Sequence, residues 1–220
     1  MSARIAVLRP EPGNAATAAQ IVAAGAEPVR LPLFATEPLD WTAPDPRHHD
    51  ALILTSANAV RLAGPGLARL AALPVYAVGA ATAAAARAVG LTVAASGDGD
   101  AMSLAERARA ASIDRALHLA GRDRAHAALP GVTLTLPVYA SAAVPVTPAA
   151  LARLTGTTAL LHSARAGARL ADLVADRARI ALVAISAAAG DAAGTGWASL
   201  RIAARPDDAA LIAAAMVPAD

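Results

Sequence analysis

The chain of 220 residues is long enough for one large domain or for two lobes of about 100 residues each. Its net charge of +2 comes from scattered arginines without any lysine, which excludes the dense basic surface typical of nucleic-acid binding. Hydrophobic residues make up 56% of the chain and aromatic residues only 2%, so we expect strands of Leu, Ile and Val packed against alanine-rich helices.

The sequence also limits the cellular compartment. It contains no cysteine, which excludes disulfides and thiolate metal sites and permits a reducing compartment. The N-terminus becomes polar too early for a signal peptide. The longest uncharged stretch, residues 127–152, contains Pro130, Pro137, Pro145 and Pro148, which no membrane-spanning helix of that length carries. We therefore expect a cytoplasmic protein that binds neither membranes nor nucleic acid.

Short apolar runs alternate with alanine-rich stretches along the whole chain, which is typical of an α/β fold with parallel sheets. The predicted strands are residues 5–8, 28–33, 51–55, 75–78, 92–95, 116–119, 133–138, 159–162, 180–185 and 199–203. The predicted helices are residues 14–24, 56–63, 81–89, 102–111, 164–176, 187–193 and 208–216. Gly25, Gly90 and Gly196 follow or lie near predicted helix ends, where a left-handed conformation favours glycine.

The sequence contains an internal duplication. Leu-Pro-Leu-Phe-Ala-Thr at 31–36 resembles Leu-Pro-Val-Tyr-Ala-Ser at 136–141, an offset of 105 residues. Residues 55–63 resemble residues 162–171 at an offset of 107, and residues 89–93 match residues 195–199 at an offset of 106. Three matches in one order at nearly one offset predict two copies of a unit of about 105 residues, each of parallel βα type.

Proline-rich stretches follow the first matched strand of each copy, at residues 36–46 and 142–148. Two such stretches indicate that the chain leaves one lobe, builds the other and returns. Two lobes joined by two extended segments predict a cleft and a hinge.

Four predicted turns from a strand to a helix carry small or hydroxyl-bearing residues, at 55–58, 79–82, 162–165 and 185–187. Unpaired N–H groups at a helix start attract anions, and a Ser or Thr there also caps the helix. Capping alone explains any one of these turns. Four of them together favour a ligand with several carboxylates or phosphates.

Other site classes lack their signatures. The glycine pairs at 64/66, 97/99 and 194/196 lack the third glycine of a dinucleotide loop, and the absence of lysine excludes a P-loop. Histidines 48, 49, 118, 126 and 162 have no metal-binding spacing. Ser163 follows His162 but lacks the flanking glycines of a nucleophile elbow. We predict no metal site and no covalent nucleophile.

Tyr139 ends a predicted strand at the position that Phe34 occupies in the other copy. One interpretation is an aromatic side chain that packs where the lobes join. The other is a phenol that donates a hydrogen bond or a proton to a ligand.

In their order along nearly the whole chain, these residues resemble the uroporphyrinogen-III synthase family. The resemblance rests on Val7-Leu8-Arg9-Pro10, Leu31-Pro32-Leu33, the run from Leu54 to Val60, Val78-Gly79, Thr82-Ala83, Gly97-Asp98, Leu104, Gly121-Arg122, Val138-Tyr139, His162-Ser163, Arg165 and Ile185-Ser186. The chain departs from the family at Ala164 and Ala187, where members often carry proline, and at Ala80, where they often carry asparagine.

The resemblance implies two flavodoxin-like lobes with parallel sheets, joined by a two-stranded linker. Lobe one would comprise residues 1–34 and 147–220, lobe two residues 45–136, and the linker residues 35–44 and 137–146. It implies no metal or organic cofactor. The substrate would be hydroxymethylbilane, a linear tetrapyrrole with acetate and propionate side chains, closed to uroporphyrinogen III with inversion of the last ring and loss of water in haem biosynthesis.

The resemblance also assigns residues to this lyase reaction. Tyr139 matches a tyrosine that assists loss of the terminal hydroxyl. The substrate-binding candidates are Arg9, Ser56, Ala57, Asn58, Thr82, Arg122, Ser163, Ala164 and Ser186, with a solvated surface charge as the alternative for Arg9 and Arg122. The family implies a monomer that contacts the preceding enzyme of the pathway transiently.

Two other classes of function stay open at this point. A two-lobed binding module would bind a small molecule without converting it. A flavodoxin-like regulatory domain would carry a mononucleotide and purify with a yellow colour.

Overall fold

The computed structural model describes residues 2–97, 100–124 and 128–217. The strands are β1 (Arg4–Val7), β2 (Glu27–Arg30), β3 (Phe34–Pro38), β4 (Ala51–Leu54), β5 (Val75–Val78), β6 (Val93–Gly97), β7 (Ala116–Gly121), β8 (Val132–Ala143), β9 (Thr158–Leu161), β10 (Ala181–Ala184) and β11 (Ser199–Ile202). The helices are α1 (Gly13–Ala23), α2 (Ala57–Leu62), α3 (Ala80–Ala88), α4 (Ala101–Ala110), α5 (Pro148–Ala152), α6 (Ala164–Leu173), α7 (Ala187–Asp191) and α8 (Asp208–Met216), with 3₁₀ turns at Pro46–His48, Gly64–Leu70 and Arg122–Arg124.

The chain divides into two compact units. Unit one contains the residues up to Ala35 and those from Ala143 onward, and unit two contains Thr36–Ala142. Unit one holds a five-stranded sheet in the order β2-β1-β9-β10-β11, in which all neighbours are parallel. Unit two holds the parallel order β8-β7-β4-β5-β6, with β3 added beside β8. The predicted α/β class with two parallel sheets is confirmed.

The two sheets repeat one topology, which confirms the duplication. Counted from the β2 and β8 edges, the strands correspond as β2 to β8, β1 to β7, β9 to β4, β10 to β5 and β11 to β6. Four pairs begin 105, 107, 106 and 106 residues apart, at Glu27 and Val132, Ala51 and Thr158, Val75 and Ala181, and Val93 and Ser199, while β1 and β7 begin 112 residues apart, at Arg4 and Ala116. The offsets of the four pairs match those of the repeated sequence patches, so those patches mark equivalent strand ends and turns.

Each unit buries apolar residues on both faces of its sheet, as parallel strands covered by helices require. Successive strand residues point to opposite faces: in β9, Leu161 joins the cluster with α6 and Leu160 the cluster with α8. In β4, Leu52 joins the cluster with α2 and α3, and Ile53 the cluster with α4. The largest fully buried side chains are Leu and Ile, as expected for a chain with few aromatic residues.

All ten predicted strands and all seven predicted helices are present, while helix α5 and three 3₁₀ turns were not predicted. Helix α5 begins after Thr147, whose hydroxyl accepts a hydrogen bond from the Ala150 N–H, and has Pro148 in its first turn. Strand β3 lies in the segment for which the family resemblance implied one strand of a two-stranded linker. It forms because β8 continues to Ala143 and offers β3 a partner.

The bonds that close this ladder run from Val144 N–H to the Leu33 carbonyl and from Leu39 N–H to the Val138 carbonyl, each 3.0 Å. They place β3 antiparallel to β8. In the part of the chain that the structure describes, no helix is long and apolar enough to span a bilayer.

Candidate functional site

The predicted site residues lie where parallel strands end. In unit two, Ser56, Gly79 and Arg122 follow β4, β5 and β7, and Tyr139 lies on β8. These strands are neighbours, so their carboxyl ends share one edge of the sheet. The chain also changes direction of winding between β7 and β4, and such switch points form ligand-binding crevices in open α/β sheets.

The start of α2 is capped by a side chain. The Ser56 Oγ accepts a hydrogen bond of 3.2 Å from the Asn58 backbone N–H. The Asn58 Oδ1 accepts a bond of 3.3 Å from Arg61 Nη1, and Ala57 is the first residue of the helix. The predicted cap is therefore present, while ligand binding by these three residues stays a prediction.

Two further candidates of unit two differ in exposure. Thr82 lies in the first turn of α3 and is buried, with 4% of its surface exposed. Arg122 is exposed and begins a 3₁₀ turn directly after β7. Gly79 precedes α3 with φ of +77°, a left-handed conformation that residues with a side chain rarely adopt. Substrate binding by Thr82 and Arg122 stays a prediction.

Tyr139 lies across the end of β7. Its Cα is paired with Gly121, and the register shifts between Ala120 and Gly121. A Cβ atom on Gly121 would lie 2.7 Å from the Tyr139 Cζ and 2.9 Å from its hydroxyl oxygen, so the ring occupies the space that a side chain would take. The ring packs against the buried cluster around α2 and α3. Among residues 2–97, 100–124 and 128–217, none hydrogen-bonds the phenol.

His118 forms a polar group inside the unit-two sheet. It is 2% exposed, with Nε2 3.0 Å from the Thr55 hydroxyl and Nδ1 3.4 Å from the Thr135 hydroxyl. Burial lowers the pKa of His118 to about 4, because the charged ring would lose its hydration. The ring is therefore neutral at pH 7 and links the turn after β4 to β7 and β8.

In unit one, the predicted residues follow three neighbouring strands. Arg9 lies beyond β1, Ser163 follows β9 and Ser186 follows β10. The Ser163 Oγ accepts a 3.2 Å bond from the Ala166 N–H, and the Ser186 Oγ accepts a 3.3 Å bond from the Ala189 N–H. Both serines therefore cap their helices, and Ala164 is the first residue of α6. Their contact with a ligand stays a prediction.

Arg9 belongs to a polar cluster at the same edge. Its Nη1 donates to both carboxylate oxygens of Asp208, at 3.0 and 3.1 Å. The Thr17 hydroxyl donates to Asp208 Oδ2 at 2.6 Å, and His162 Nε2 lies 3.1 Å from Oδ1. Asp208 thus connects β1, α1 and the end of β9 to the start of α8.

This cluster keeps Asp208 ionised. Partial burial alone would raise the pKa of Asp208, but the hydrogen bonds from His162 and Thr17 and the charge of Arg9 lower it to about 2. The Nδ1 atom of His162 is buried and has no hydrogen-bond partner among the described residues. Because the ionised Asp208 carboxylate can only accept, His162 Nε2 is the donor of their hydrogen bond.

No motif in the sequence predicts either polar group. Thr17, His162 and Asp208 are far apart in the sequence, and the spacing of the histidines indicates no contact with Asp208. One signal was present: Asp208 lies in the first turn of a predicted helix, where an acid is favourable. Gly121 was part of the resemblance, but its contact with Tyr139 depends on a strand register that the sequence does not specify.

Metal-binding geometry and cavities add no further candidate. Within residues 2–97, 100–124 and 128–217, no three His, Asp or Glu side chains are close enough to hold a metal ion. Asp98, Gly99 and His126 lie outside the described residues. A cavity of about 560 Å³ lies beyond the end of α6, lined by residues 171–178 with Thr195 and Gly196, and none of the predicted site residues lines it.

Comparison with known proteins identifies the family. The model of the uroporphyrinogen-III synthase HemD family matches residues 15–213. The chain belongs to the uroporphyrinogen-III synthase family. Membership makes it a lyase of tetrapyrrole biosynthesis, as the sequence resemblance predicted.

Solved structures show the same fold at low sequence identity. Uroporphyrinogen-III synthetase from Helicobacter pylori is 17% identical, with a TM-score of 0.68 over 98% of this chain and 99% of that chain. A mutant uroporphyrinogen III synthase from Thermus thermophilus is 20% identical over 96% of each chain, with a TM-score of 0.47, too low to add to the argument. No curated protein matches the chain.

Proposed function

We propose that the chain cyclises hydroxymethylbilane to uroporphyrinogen III, with inversion of the last pyrrole ring and release of one water molecule. The observation that carries this proposal is the family match over residues 15–213. The Tyr139 hydroxyl at the carboxyl edge of the unit-two sheet, which none of the described residues hydrogen-bonds, supports it, because the reaction needs a group that helps the terminal hydroxyl to leave.

Tyr139 is the proposed catalytic residue. Its phenol donates a hydrogen bond and then a proton to the terminal hydroxyl, the C–O bond breaks, and water leaves. The resulting azafulvenium cation is attacked by the substituted carbon of the last pyrrole, giving a spiro intermediate that breaks and recloses with that ring inverted. Loss of the pyrrole proton restores the aromatic ring and can reprotonate the phenolate.

The remaining task is to position a flexible substrate. In water the linear tetrapyrrole closes without inversion, so the enzyme must select one folded conformer and exclude the simpler closure. Orientation by several contacts achieves this without a strong acid or base. Fixed hydrogen-bond donors also stabilise charge that develops during the reaction.

Helix starts supply the proposed carboxylate contacts. After the serine caps are formed, the N–H group of Ala57 remains at the start of α2, and those of Ala164 and Ala187 remain after Ser163 and Ser186 in unit one. Each of these starts lies at the carboxyl edge of its sheet. An acetate or propionate group that accepts from such N–H groups would be held by the helix end as well.

Arg9, Arg122 and Thr82 are proposed to assist at these edges. Arg9 uses Nη1 to hold Asp208, and its other donors remain for a substrate carboxylate. Arg122 is exposed directly after β7, beside the strand that carries Tyr139. Thr82 is buried in α3 and contacts substrate only if the first turn of this helix adjusts.

The division of the chain into lobes and its state in the cell are also part of the proposal. Lobe one comprises residues 1–34 and 147–220, lobe two comprises residues 45–136, and residues 35–44 and 137–146 are linker strands. We further propose a cytoplasmic monomer that uses no cofactor, that binds neither membranes nor nucleic acid, and that contacts the preceding enzyme of the pathway transiently.

The test is to supply the purified protein with freshly made hydroxymethylbilane and to separate the product isomers. We expect turnover and a product dominated by uroporphyrinogen III. Binding without turnover would instead identify a binding module, and a yellow protein with bound mononucleotide would identify a flavodoxin-like domain. Either result overturns the proposal.

A further inference from the structure

Strand β8 changes register next to the tyrosine. Ala120 is paired with Pro137 and Gly121 with Tyr139, so Val138 is an extra residue between them. Such a bulge redirects the side chains that follow it. Pro137 is suited to the position, because it has no N–H to donate to a regular ladder.

The bulge places two consecutive side chains on one face. Leu117 and Leu119 of β7 point to the cluster around α2 and α3, and their partners on β8 are Leu134 and Leu136. Regular alternation would bring Val138 to this face and direct Tyr139 to the other. With the extra residue, Val138 and Tyr139 both pack against the same cluster.

This face also carries the helix start proposed to bind substrate. Ala59 and Val60 of α2 belong to the same cluster, and α2 begins at the carboxyl edge of the sheet. A phenol on this face and at this edge is on the same side of the sheet as the N–H groups near Ser56. On the opposite face it would lie with α4, whose cluster contains none of the candidate residues.

Gly121 completes the arrangement. A Cβ atom there would lie 2.7 Å from the Tyr139 Cζ, well inside van der Waals contact. The clash would be with the far end of one side chain, so the ring can move away while the backbone keeps its place. Substitution would therefore displace the phenol without disrupting the sheet.

We propose that Gly121 is a positioning residue for the reaction: by lacking a side chain, it lets the bulged strand β8 lay the Tyr139 phenol across the end of β7. This inference rests on the proposed function of Tyr139. Gly121 itself touches the tyrosine, and no contact with substrate is assigned to it.

The test compares two glycine-to-alanine variants in the same sheet. Gly121→Ala should lower kcat roughly 10- to 100-fold with little change in KM, because a displacement of about 1 Å is enough to misplace a reacting group. Gly97→Ala is the matched control, since among the described residues its Cβ would meet only Leu104 Cδ1, at an ordinary 3.6 Å. Gly97 also ends a strand of this sheet, and its variant should keep wild-type kcat.

A double variant separates positioning from a general structural effect. In a Tyr139→Phe background, Gly121→Ala should reduce kcat no further, because the hydroxyl that it misplaces is already absent. A further tenfold loss there would overturn the inference. So would wild-type kcat in the Gly121→Ala variant.

An NMR measurement tests the geometry without relying on activity. The chain has two tyrosines, so the Tyr139 ring signals are identified by their loss in Tyr139→Phe. In the wild type we expect a nuclear Overhauser effect between the Tyr139 ring protons and the Gly121 Hα protons. Its absence would overturn the inference. This measurement does not depend on whether the Gly121→Ala variant folds. Full kcat in Tyr139→Phe, which leaves Gly121 intact, would show instead that the proposed chemistry of Tyr139 is wrong.

Discussion

At the scale of single residues, the polar atoms of Tyr139 and His118 differ in their hydrogen-bond partners among the described residues. The His118 ring has a hydroxyl near each nitrogen, while no described residue hydrogen-bonds the Tyr139 phenol. A donor without a protein partner at a strand end is available to a substrate. The sequence predicted the position of Tyr139, but not the pairing of His118 with Thr55 and Thr135, which depends on three strands meeting.

Replacement of Tyr139 by Phe should remove the proton donor and preserve the packing of the ring. We expect kcat to fall about 100-fold, within the range typical of general acid catalysis, and the free energy of unfolding to change by less than about 1 kcal/mol. Tyr76→Phe is the control, because Tyr76 is buried in the cluster around α4. Equal turnover in both variants would contradict the assigned role.

His118 should make stability depend on pH in a defined range. Its pKa is about 4 in the folded chain and 6.5 ordinarily, so between these values the unfolded state binds more protons. The free energy of unfolding should be highest above pH 6.5 and fall by about 3 kcal/mol as the pH drops to 4.

Urea unfolding between pH 7.5 and 4.5 measures this effect, and His118→Gln is the control because it cannot titrate. Asp208 contributes in a separate range, since its pKa falls from 3.8 to about 2. Its stabilisation is therefore lost only below about pH 4. An identical pH dependence in the wild type and in His118→Gln would contradict the account.

At the scale of elements, the sequence predicted strands and helices well because each is short and bounded by clear signals. Gly25 and Gly90 have positive φ where α1 and α3 end, and serines cap α2, α6 and α7. Strand β3 was implied only by the family resemblance, because its residues show no strand pattern of their own. It is a strand because β8 provides a partner, and pairing across about 100 residues is not encoded locally.

Ser163 separates helix capping from anion binding. Asn and Asp both replace serine well as N-caps, so Ser163→Asn and Ser163→Asp should each stay within about 1 kcal/mol of wild-type stability. Only Asp adds a negative charge, which repels a carboxylate at the start of α6. We expect KM for hydroxymethylbilane to rise about tenfold in Ser163→Asp and to change little in Ser163→Asn. Equal KM values would show that no carboxylate binds there.

At the scale of the whole molecule, duplication accounts for the order of the strands. The same five-stranded parallel topology occurs twice, with four strand pairs offset by 105 to 107 residues and β1 and β7 offset by 112. Each unit has its own pair of buried clusters. The strongest sequence evidence for the duplication is the match between residues 31–36 and 136–141, because this match depends least on shared alanines. Of the polar cluster around Asp208, only His162 lies in a repeated patch, where it corresponds to Thr55, so the comparison of copies could not predict its contact with Asp208.

The units should respond separately to core substitutions. Trp41 lies in unit two and donates to the Ala63 carbonyl, and Trp197 lies in unit one and donates to the Ala193 carbonyl. Leu52→Ala should lower the unfolding midpoint reported by Trp41 more than that reported by Trp197. Leu160→Ala should lower the midpoint reported by Trp197 more. Each substitution should lower the free energy of unfolding by about 2–5 kcal/mol. Tryptophan fluorescence of variants with a single Trp measures both. Equal shifts at the two probes would show one cooperative unit.

The most direct test of the account is the isomer composition of the product as the enzyme concentration rises over fixed, freshly made hydroxymethylbilane. Spontaneous closure competes at low enzyme concentration and gives the macrocycle without inversion. The account predicts that the fraction of uroporphyrinogen III rises with enzyme concentration towards the whole product. A composition that stays at the spontaneous value at every enzyme concentration would contradict it.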